Sequence, residues 1–291
     1  MKRVVVAVVT LVTALNAFAG IEFTSKVSDK RDRTISTSKA WIDGDNAKIT
    51  YDGKDSKSGS YMLSTDGGQT IYMVNPKEKS YLKVDVDQLA SQVGNFMNAA
   101  GGFMKLEFKD PKFKTTLNER GPEMFGLPTR HLKTETSYTV VATVFGKKNI
   151  SHISRKDEIW LTDKLHDKAL EIWSQQRKIR TGNENIDKVI SAESSRIKGV
   201  PLKIISVTST RESNGRERVE KSTTEITSLH KKKIPAATFK LPRNYENKNE
   251  EVKAGLQAIK SELIKDAGDN AAEDTGKAVN SLLNGLFGGG K

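Results

Sequence analysis

Cysteine is absent from the 291 residues of the chain, and histidine is scarce, with four residues. Without cysteine there can be no disulfide, thiolate nucleophile, cysteine-ligated zinc or lipidated N-terminal cysteine. The four histidines do not have the spacing of a zinc motif. They are His131, His152, His166 and His230. The sequence therefore excludes cysteine-dependent enzymes and cysteine-ligated zinc proteins, and it shows no histidine zinc motif.

Catalytic and cofactor motifs are also missing from the sequence. It contains neither a G-x-S-x-G nucleophile turn, nor a phosphate-binding P-loop, nor a G-x-G-x-x-G that opens a helix. Asp43-Gly44-Asp45-Asn46 begins like a calcium loop, but Ala47 and Lys48 break that pattern, so a hairpin turn is favoured. We therefore predict no enzyme, cofactor or metal ligand, with an envelope hydrolase of unrecognised residues as the alternative.

The first 19 residues have the features of a secretory signal. Lys2 and Arg3 precede an apolar run from Val4 to Leu15, and the small-residue triplet Ala17-Phe18-Ala19 follows. The run is shorter than the roughly 20 apolar residues of a membrane-spanning helix. We predict cleavage after Ala19 and a periplasmic location, with secretion as the alternative.

The formal charge of +12 is spread along the chain. Lysines and arginines alternate with acids, and Lys231-Lys232-Lys233 is among the densest basic clusters. This pattern favours ordinary solvated surface charge; the alternative is that the basic residues bind anionic lipid headgroups or glycans. Because an exported protein rarely meets nucleic acid, nucleic acid is not an expected partner.

A meander of antiparallel strands is predicted between Trp41 and Asp85. Its strands are Trp41-Ile42, Lys48 to Tyr51, Ser60 to Ser64, Thr70 to Val74 and Ser80 to Val84, with turns at Asp43-Gly44-Asp45-Asn46, Asp66-Gly67-Gly68 and Asn75-Pro76-Lys77. Tyr61 and Leu63 alternate with Met62 and Ser64, so one face of the sheet can be apolar and the other solvated.

Further strands and two helical regions are predicted around this meander. The strands are Ile21 to Ser28, Leu106 to Leu117 with a break at Pro111, Thr129 to Phe145, Ile150 to Leu161, Leu202 to Arg211, Glu217 to Leu229 and a closing strand between Ile234 and Tyr245. Asp87 to Met104 has the apolar spacing of an amphipathic helix, and a helical insertion is predicted near 163–198.

The segment 246–291 has a different composition, rich in charged residues and alanine. Its predicted amphipathic helices have one apolar face formed by Val252, Leu256, Ile259 and Leu263. Packing onto the domain, contact with a membrane surface and self-association are all compatible with this pattern. The predicted organisation is a signal peptide at 1–19, a domain at 20–245 and a helical tail at 246–291.

Five segments, taken in order, resemble a known family. They are W-x-D-G-D-N-A-K-I-T-Y-D at 41–52, Y-M-L-S-T-D-G-G-Q-T-I-Y-M-V-N-P-K-E-K-S-Y at 61–81, E-I-W-L-T-D at 158–163, G-V-P-L at 199–202 and I-P-A-A-T-F-K-L-P-x-x-Y at 234–245. The set resembles an exported bacterial domain family of unknown function, similar in layout to the LolA/LolB lipoprotein-carrier half-barrels. The likeness covers roughly residues 21–245.

The resemblance implies an α+β, mainly β fold: a strongly curved antiparallel sheet, the LolA-like half-barrel, wrapped around helices, with C-terminal amphipathic helices added. In the carriers the concave apolar face accepts acyl chains, and the resemblance carries no catalytic residues. The insertion near 163–198 and the tail after Tyr245 depart from a minimal carrier. The arginine that LolA-type carriers use has no match in this chain.

These observations predict a non-enzymatic periplasmic binding or carrier protein for a lipid, an acyl chain or another apolar ligand. Candidate cavity residues are Trp41, Tyr61, Leu63, Tyr72 and Val74 on the sheet and Phe96, Met97, Phe103 and Met104 on the helix. Expected partners are a lipid or lipidated protein, and a membrane surface or envelope protein at the tail. The alternative is a structural or protein-interaction module with a packed core and a partner-binding tail; no oligomeric state is predicted.

Overall fold

A computed structural model of the chain describes residues 20–53, 59–88, 91, 104–144, 146–174, 184, 187–188, 191–192, 195 and 197–250. Within them, nearly all regular structure is β. The strands are β1 Gly20–Ser28, β2 Thr34–Asp43, β3 Asn46–Gly53, β4 Tyr61–Ser64, β5 Thr70–Asn75, β6 Ser80–Asp85, β7 Met104–Arg120, β8 Arg130–Val144, β9 Lys147–Thr162, β10 Val200–Glu212, β11 Glu217–Lys232 and β12 Glu246–Asn247. Helix α1 spans Leu170–Ser174, and a 3-10 helix spans Ala236–Phe239.

The strands form one open sheet of twelve strands in the order β12-β6-β5-β4-β3-β2-β1-β11-β10-β9-β8-β7. All neighbouring strands are antiparallel except β12 and β6, so the sheet is mixed. Two meanders, β1 to β6 and β7 to β11, join where β1 pairs with β11. The chain therefore passes from β6, next to one edge strand, to β7 at the opposite edge.

The predicted half-barrel wrapped around helices is wrong for the described part of the chain, because no helix there is enclosed by the sheet. In the segment predicted as a helix from Asp87 to Met104, residues 86–88 and residue 91 are helical, whereas Met104 begins β7. The rest of that segment, and the predicted C-terminal helices after residue 250, lie outside the described residues. In the predicted helical insertion near 163–198, α1 begins at Leu170, and residues 184, 187–188 and 191–192 are helical as well. Most residues between 175 and 196 lie outside the described residues, so the extent of this insertion stays a prediction.

The predicted strands of both meanders are confirmed, and the turn residues show why. Gly44 and Gly67 have φ values of 59° and 69°, a backbone region that glycine reaches without a steric penalty. Gly215 closes the β10–β11 hairpin with φ 83°. Strand β7 continues through Pro111, where the register with β8 shifts between Lys109 and Lys112. The predicted closing strand is wrong, since Ala236–Phe239 is a 3-10 helix.

The principal core lies on one face of the sheet, over β1 to β3. Phe23, Ala40 and Ile49 are each at most 1% exposed there. Irregular chain covers them, with Leu127 from the β7–β8 loop and Leu170 at the start of α1 packed into the same cluster. Burying a side chain of this size stabilises the fold by roughly 1.5–3 kcal/mol, so this cluster holds the two meanders together.

The predicted division of the chain into three parts stays a prediction. Strand β12, at Glu246–Asn247, pairs with Ser80 and Tyr81 of β6, just past the expected domain boundary at Tyr245. Asn249 then binds the backbone of Lys83, donating from Nδ2 to its carbonyl at 2.6 Å and accepting from its N–H at 2.8 Å. The sheet therefore extends a few residues into the segment that the sequence assigns to the tail.

Candidate functional site

The two faces of the sheet differ in chemistry. Residues that pair across antiparallel strands share a face, and successive residues along a strand alternate between faces. The register places Phe23, Ala40 and Ile49 together on the face that we call the core face. The opposite face, which we call the lysine face, includes these lysines: Lys26, Lys39, Lys48, Lys133 and Lys203.

An apolar row crosses seven strands of the core face. Its members, in spatial order, are Leu229, Phe23, Ala40, Ile49, Met62, Met73 and Leu82. Phe23, Ala40 and Ile49 are at most 1% exposed, Met62 and Leu82 are half-buried, and Met73 is 50% exposed. The row is therefore core at its centre and accessible at β5 and β6.

We call the accessible end the methionine patch. It comprises Met62, Ile71, Met73, Leu82 and Val84. All except Met73 are half-buried. Met73 is opposite Leu82, and Ile71 is opposite Val84, so the members form two adjacent rows. Methionine side chains are flexible and polarisable, which suits them to contact apolar groups of varied shape.

Tyr51 lies beside the methionine patch on the same face. Its hydroxyl is 3.8 Å from Met62 Sδ. Burial raises the pKa of Tyr51 to about 12, because the phenolate would be poorly solvated there. The hydroxyl therefore stays protonated at neutral pH, and this border of the patch is uncharged.

The predicted sheet residues of the cavity lie on the opposite, lysine face. Trp41, Tyr61 and Tyr72 are partly buried around Leu63, which is 2% exposed. Val74 is paired with Tyr61 and belongs to the same face. Whether this aromatic cluster holds a ligand stays a prediction.

The chain's own C-terminal segment covers the aromatic cluster. Ile234 and Phe239, which are 4% and 7% exposed, pack against it together with Leu241. The strands therefore bring the five predicted sheet residues together, but under residues of the same chain.

The other predicted site residues cannot be placed beside these. Phe96, Met97 and Phe103 lie outside the described residues. Met104 is the first residue of β7, at the far edge of the sheet. The tail residues also lie outside the described residues: Val252, Leu256, Ile259 and Leu263.

Charged residues of the lysine face form networks between the strands. Glu225 contacts Lys26 at 2.7 Å and Lys203 at 3.3 Å. The Lys203 ammonium lies 5.7 Å from the centre of the Trp160 ring, on which His131 is stacked with centroids 4.7 Å apart. Cation–π contacts of this kind add to the ion pairs that hold the central strands in register.

Glu158 joins this network to β8. Its Oε1 lies 2.8 Å from His131 Nε2 and 3.0 Å from Lys133 Nζ. Although burial opposes the change, hydrogen bonds from Lys133 and His131 hold the pKa of Glu158 below its ordinary value. The carboxylate therefore stays ionised at neutral pH and acts as a bridge between strands.

No metal centre is visible in the part of the chain that the structure describes. Groups of three or more His, Asp or Glu side chains placed to hold a metal do not occur among those residues. His131 is engaged with Glu158, and His152 Nδ1 lies 3.0 Å from Thr139 Oγ1. Among the same residues, no helix is long and apolar enough to cross a membrane.

Comparison with known proteins identifies no family. No family model matches the sequence, and no curated protein matches it. A solved structure described as "Structure of PNGF-II in C2 space group" aligns over 81% of this chain at 14% identity, with a TM-score of 0.35. The alignment spans 32% of that protein's own chain. A likeness this low carries no argument about the function of the chain.

The methionine patch was missed from the sequence, because the alternation of residues along β4 does not reveal it. Met62 alternates with Tyr61 and Leu63 along β4, and all three are apolar, so alternation does not show which set faces the core. Met62 pairs across the strands with Met73, and Met73 pairs with Leu82; these pairings can be recognised only once the strand register is known.

Proposed function

We propose that the protein is a non-enzymatic binding or carrier protein of the cell envelope, and that the methionine patch contacts an acyl chain or another apolar ligand. The observation that carries this proposal is the 50% exposure of Met73 in an apolar row whose central residues, Phe23, Ala40 and Ile49, are buried core. Exposed apolar surface continuous with a core is costly in water and is typical of interaction sites.

The chemistry around the patch supports an apolar ligand. On β1 to β6, the Met73 row and the adjoining Ile71 row contain no charged residue; the adjoining row is Ile21, Ile42, Ala47, Ser64, Ile71 and Val84. Met62 and Met73 offer adaptable contacts, which suits acyl chains of different length.

Two variants test the proposal. In the full chain, Met73→Gln keeps the side-chain length but adds an amide that an acyl chain cannot satisfy. Val219→Gln is the matched control, because Val219 is 54% exposed and lies on the lysine face. Binding of a fluorescent fatty acid should weaken about fivefold for Met73→Gln, since covering half a methionine contributes about 1 kcal/mol. It should be unchanged for Val219→Gln.

Mass spectrometry of organic extracts from the purified protein supplies a second test. Acyl species that co-purify with the wild type and decrease in Met73→Gln would support the proposal. The absence of any acyl species, together with no uptake of the fluorescent fatty acid, would contradict it. Equal loss of binding in both variants would also contradict it, because the patch would then have no special role.

A second proposal is a structural or protein-interaction module of the envelope. The packing of Ile234 and Phe239 on the aromatic cluster favours it, because that part of the sheet is already filled by its own chain. Deletion of residues 250–291 separates the two proposals. Loss of envelope association from a domain that stays folded supports the module, whereas unchanged association contradicts a partner-binding tail.

A further inference from the structure

An open groove lined by serines and charged residues, together with Tyr138 and Ile153, lies on the lysine face across the second meander. Its volume is about 380 Å³, and its lining includes Ser137, Ser154 and Ser209. It is separate from the methionine patch, which lies on the core face of the first meander.

Three serines form a row across the groove. Ser137 of β8 is paired with Ser154 of β9, which is paired with Ser209 of β10. The Ser209 hydroxyl donates to Glu217 Oε1 at 2.9 Å. Among the described residues, the hydroxyls of Ser137 and Ser154 have no hydrogen-bond partner. They are therefore available to donate to a bound molecule.

Cations surround the serine row. Lys112 is paired with Ser137 at one end of it. The neighbouring row contains Lys114, Lys156 and Lys221, with Glu135 between the first two. Lys156 contacts Glu135 at 3.6 Å, whereas Lys112, Lys114 and Lys221 have no ion-pair partner within the described part of the chain.

The far side of the groove carries a mixed row of side chains. Arg211 contacts Glu217 at 3.3 Å, and His152 is held by Thr139. Asp110, at the β7 bulge, is a further carboxylate of the lining. Lys109, on the same row, forms an ion pair with Glu107 at 3.3 Å. The cations at the groove and on its flanking rows still outnumber the carboxylates Asp110, Glu135, Glu217 and Glu107; the cations are Lys109, Lys112, Lys114, Lys156, Arg211 and Lys221.

We propose that this groove binds an extended, hydrophilic polyanion, an anionic polysaccharide chain that crosses the strands along the serine row. Lysines two strands apart are spaced by about 9.6 Å, so a chain with regularly placed anionic groups meets Lys114, Lys156 and Lys221 in turn. The serine hydroxyls donate to its oxygens between these ion pairs.

The composition of the groove favours a soluble chain over a bilayer surface. Membrane-contacting surfaces are marked by tryptophan and tyrosine at the level of the headgroups. On the lysine face, Trp41, Tyr61 and Tyr72 belong to the first meander and pack under the C-terminal segment, and Trp160 lies between His131 and Lys203, outside the groove lining. Among the described residues, the lining contains no tryptophan and one tyrosine, Tyr138; apart from Ile153, its other residues are serine, threonine, histidine and charged residues.

Heparin, a sulfated polysaccharide, is the probe for the full chain at about 150 mM salt, where loose surface attraction is screened. The double variant Lys112→Gln with Lys221→Gln should bind it about tenfold more weakly. Lys77→Gln with Lys240→Gln is the matched control, because both lysines are exposed and the charge change is the same. The control should change affinity less than about twofold.

Ser154→Ala adds a readout that does not depend on charge, and we expect a loss of about threefold from one hydrogen bond. Equal weakening by both lysine pairs, or no binding of heparin at this salt, would overturn the proposal. Stronger binding to vesicles of anionic phospholipid than to heparin would overturn it in favour of a membrane surface. The Lys112→Gln/Lys221→Gln variant should still bind the fatty acid, because the groove and the methionine patch are separate sites.

Discussion

Glu22 of β1 and Trp41 of β2 are cross-strand partners, and the Trp41 indole Nε1 donates a 2.6 Å hydrogen bond to Glu22 Oε2. The same carboxylate contacts Lys232 at 2.7 Å and Lys39 at 3.4 Å. Glu22 therefore ties β1 to both of its neighbours, β2 and β11, where the two meanders join.

Removal of this carboxylate should destabilise the fold. We expect Glu22→Gln to lower the free energy of unfolding by about 1 kcal/mol, because the amide still accepts from Trp41 but no longer pairs with the lysines. Urea denaturation measures the effect. Glu123→Gln is a control in the β7–β8 loop, where the side chain is exposed and little change is expected.

The contribution of Glu22 should also depend on pH. The hydrogen bond from Lys232, with those from Trp41 and Lys39, holds the pKa of Glu22 below its ordinary value of 4.5. Its stabilisation is therefore complete above the unfolded-state pKa and lost as the pH falls through the folded-state pKa. The stability difference between wild type and Glu22→Gln should shrink on acidification below pH about 4.5, and a constant difference would contradict this assignment.

The Asp29–Arg33 pair predicts a titration that NMR can follow directly. Arg33 donates to Asp29 Oδ2 from Nε at 2.9 Å and from Nη2 at 2.6 Å, and these contacts lower the pKa of Asp29 to about 2. In Arg33→Gln the pKa of Asp29 should rise towards its ordinary value of 3.8. Arg31→Gln is the control, because only the backbone N–H of Arg31 contacts Asp29. An unchanged Asp29 pKa in Arg33→Gln would contradict the pairing.

Phe239 should be a stabilising residue of the C-terminal segment. It is 7% exposed against the aromatic cluster, so Phe239→Ala should cost about 3 kcal/mol of unfolding free energy. Lys240→Ala, one residue further along and exposed, should change stability by less than about 0.5 kcal/mol. If thermal or urea denaturation shows that Phe239→Ala loses no more stability than Lys240→Ala, the segment is not packed as described.

Gly199, which precedes β10, should tolerate no side chain. Its φ is +116°, and a Cβ there would lie 2.6 Å from the backbone oxygen of Thr162. Gly199→Ala should therefore destabilise the protein by about 2 kcal/mol or more, measured by urea denaturation. Gly215→Asn is the control, since φ is +83°, no atom lies within 4 Å of its Cβ position, and asparagine accepts this conformation best after glycine. Equal stability of the two variants would contradict this account.

Local chemistry made the hairpins predictable. Asn214-Gly215 and Asp43-Gly44 supply backbone conformations that tight turns require, whatever the rest of the chain does. The same applies to the β-branched run that became β8. Such signals depend on a few adjacent residues, so the sequence alone shows them.

The face of each strand and the order of the strands were not predictable in this way. Tyr61 and Leu63 are largely apolar, like Met62, so the pattern along β4 does not show which of them lie on the core face. Their placement on the lysine face depends on packing against Ile234 and Phe239, which come from a distant part of the chain. The pairing of β1 with β11 is also long-range. For these reasons the aromatic cluster was identified as a group, whereas the methionine patch was missed.

The most direct test of the proposed function is NMR of the protein with ¹³C-labelled methionine methyl groups during titration with a fatty acid. We predict saturable shifts for the methyl groups of Met62 and Met73, and a much smaller shift for Met124, which packs against the principal core. Met73→Gln should move the Met62 titration to about fivefold higher fatty-acid concentration. Unchanged methyl signals of Met62 and Met73 at saturating fatty acid would contradict the proposal that the methionine patch is the ligand site.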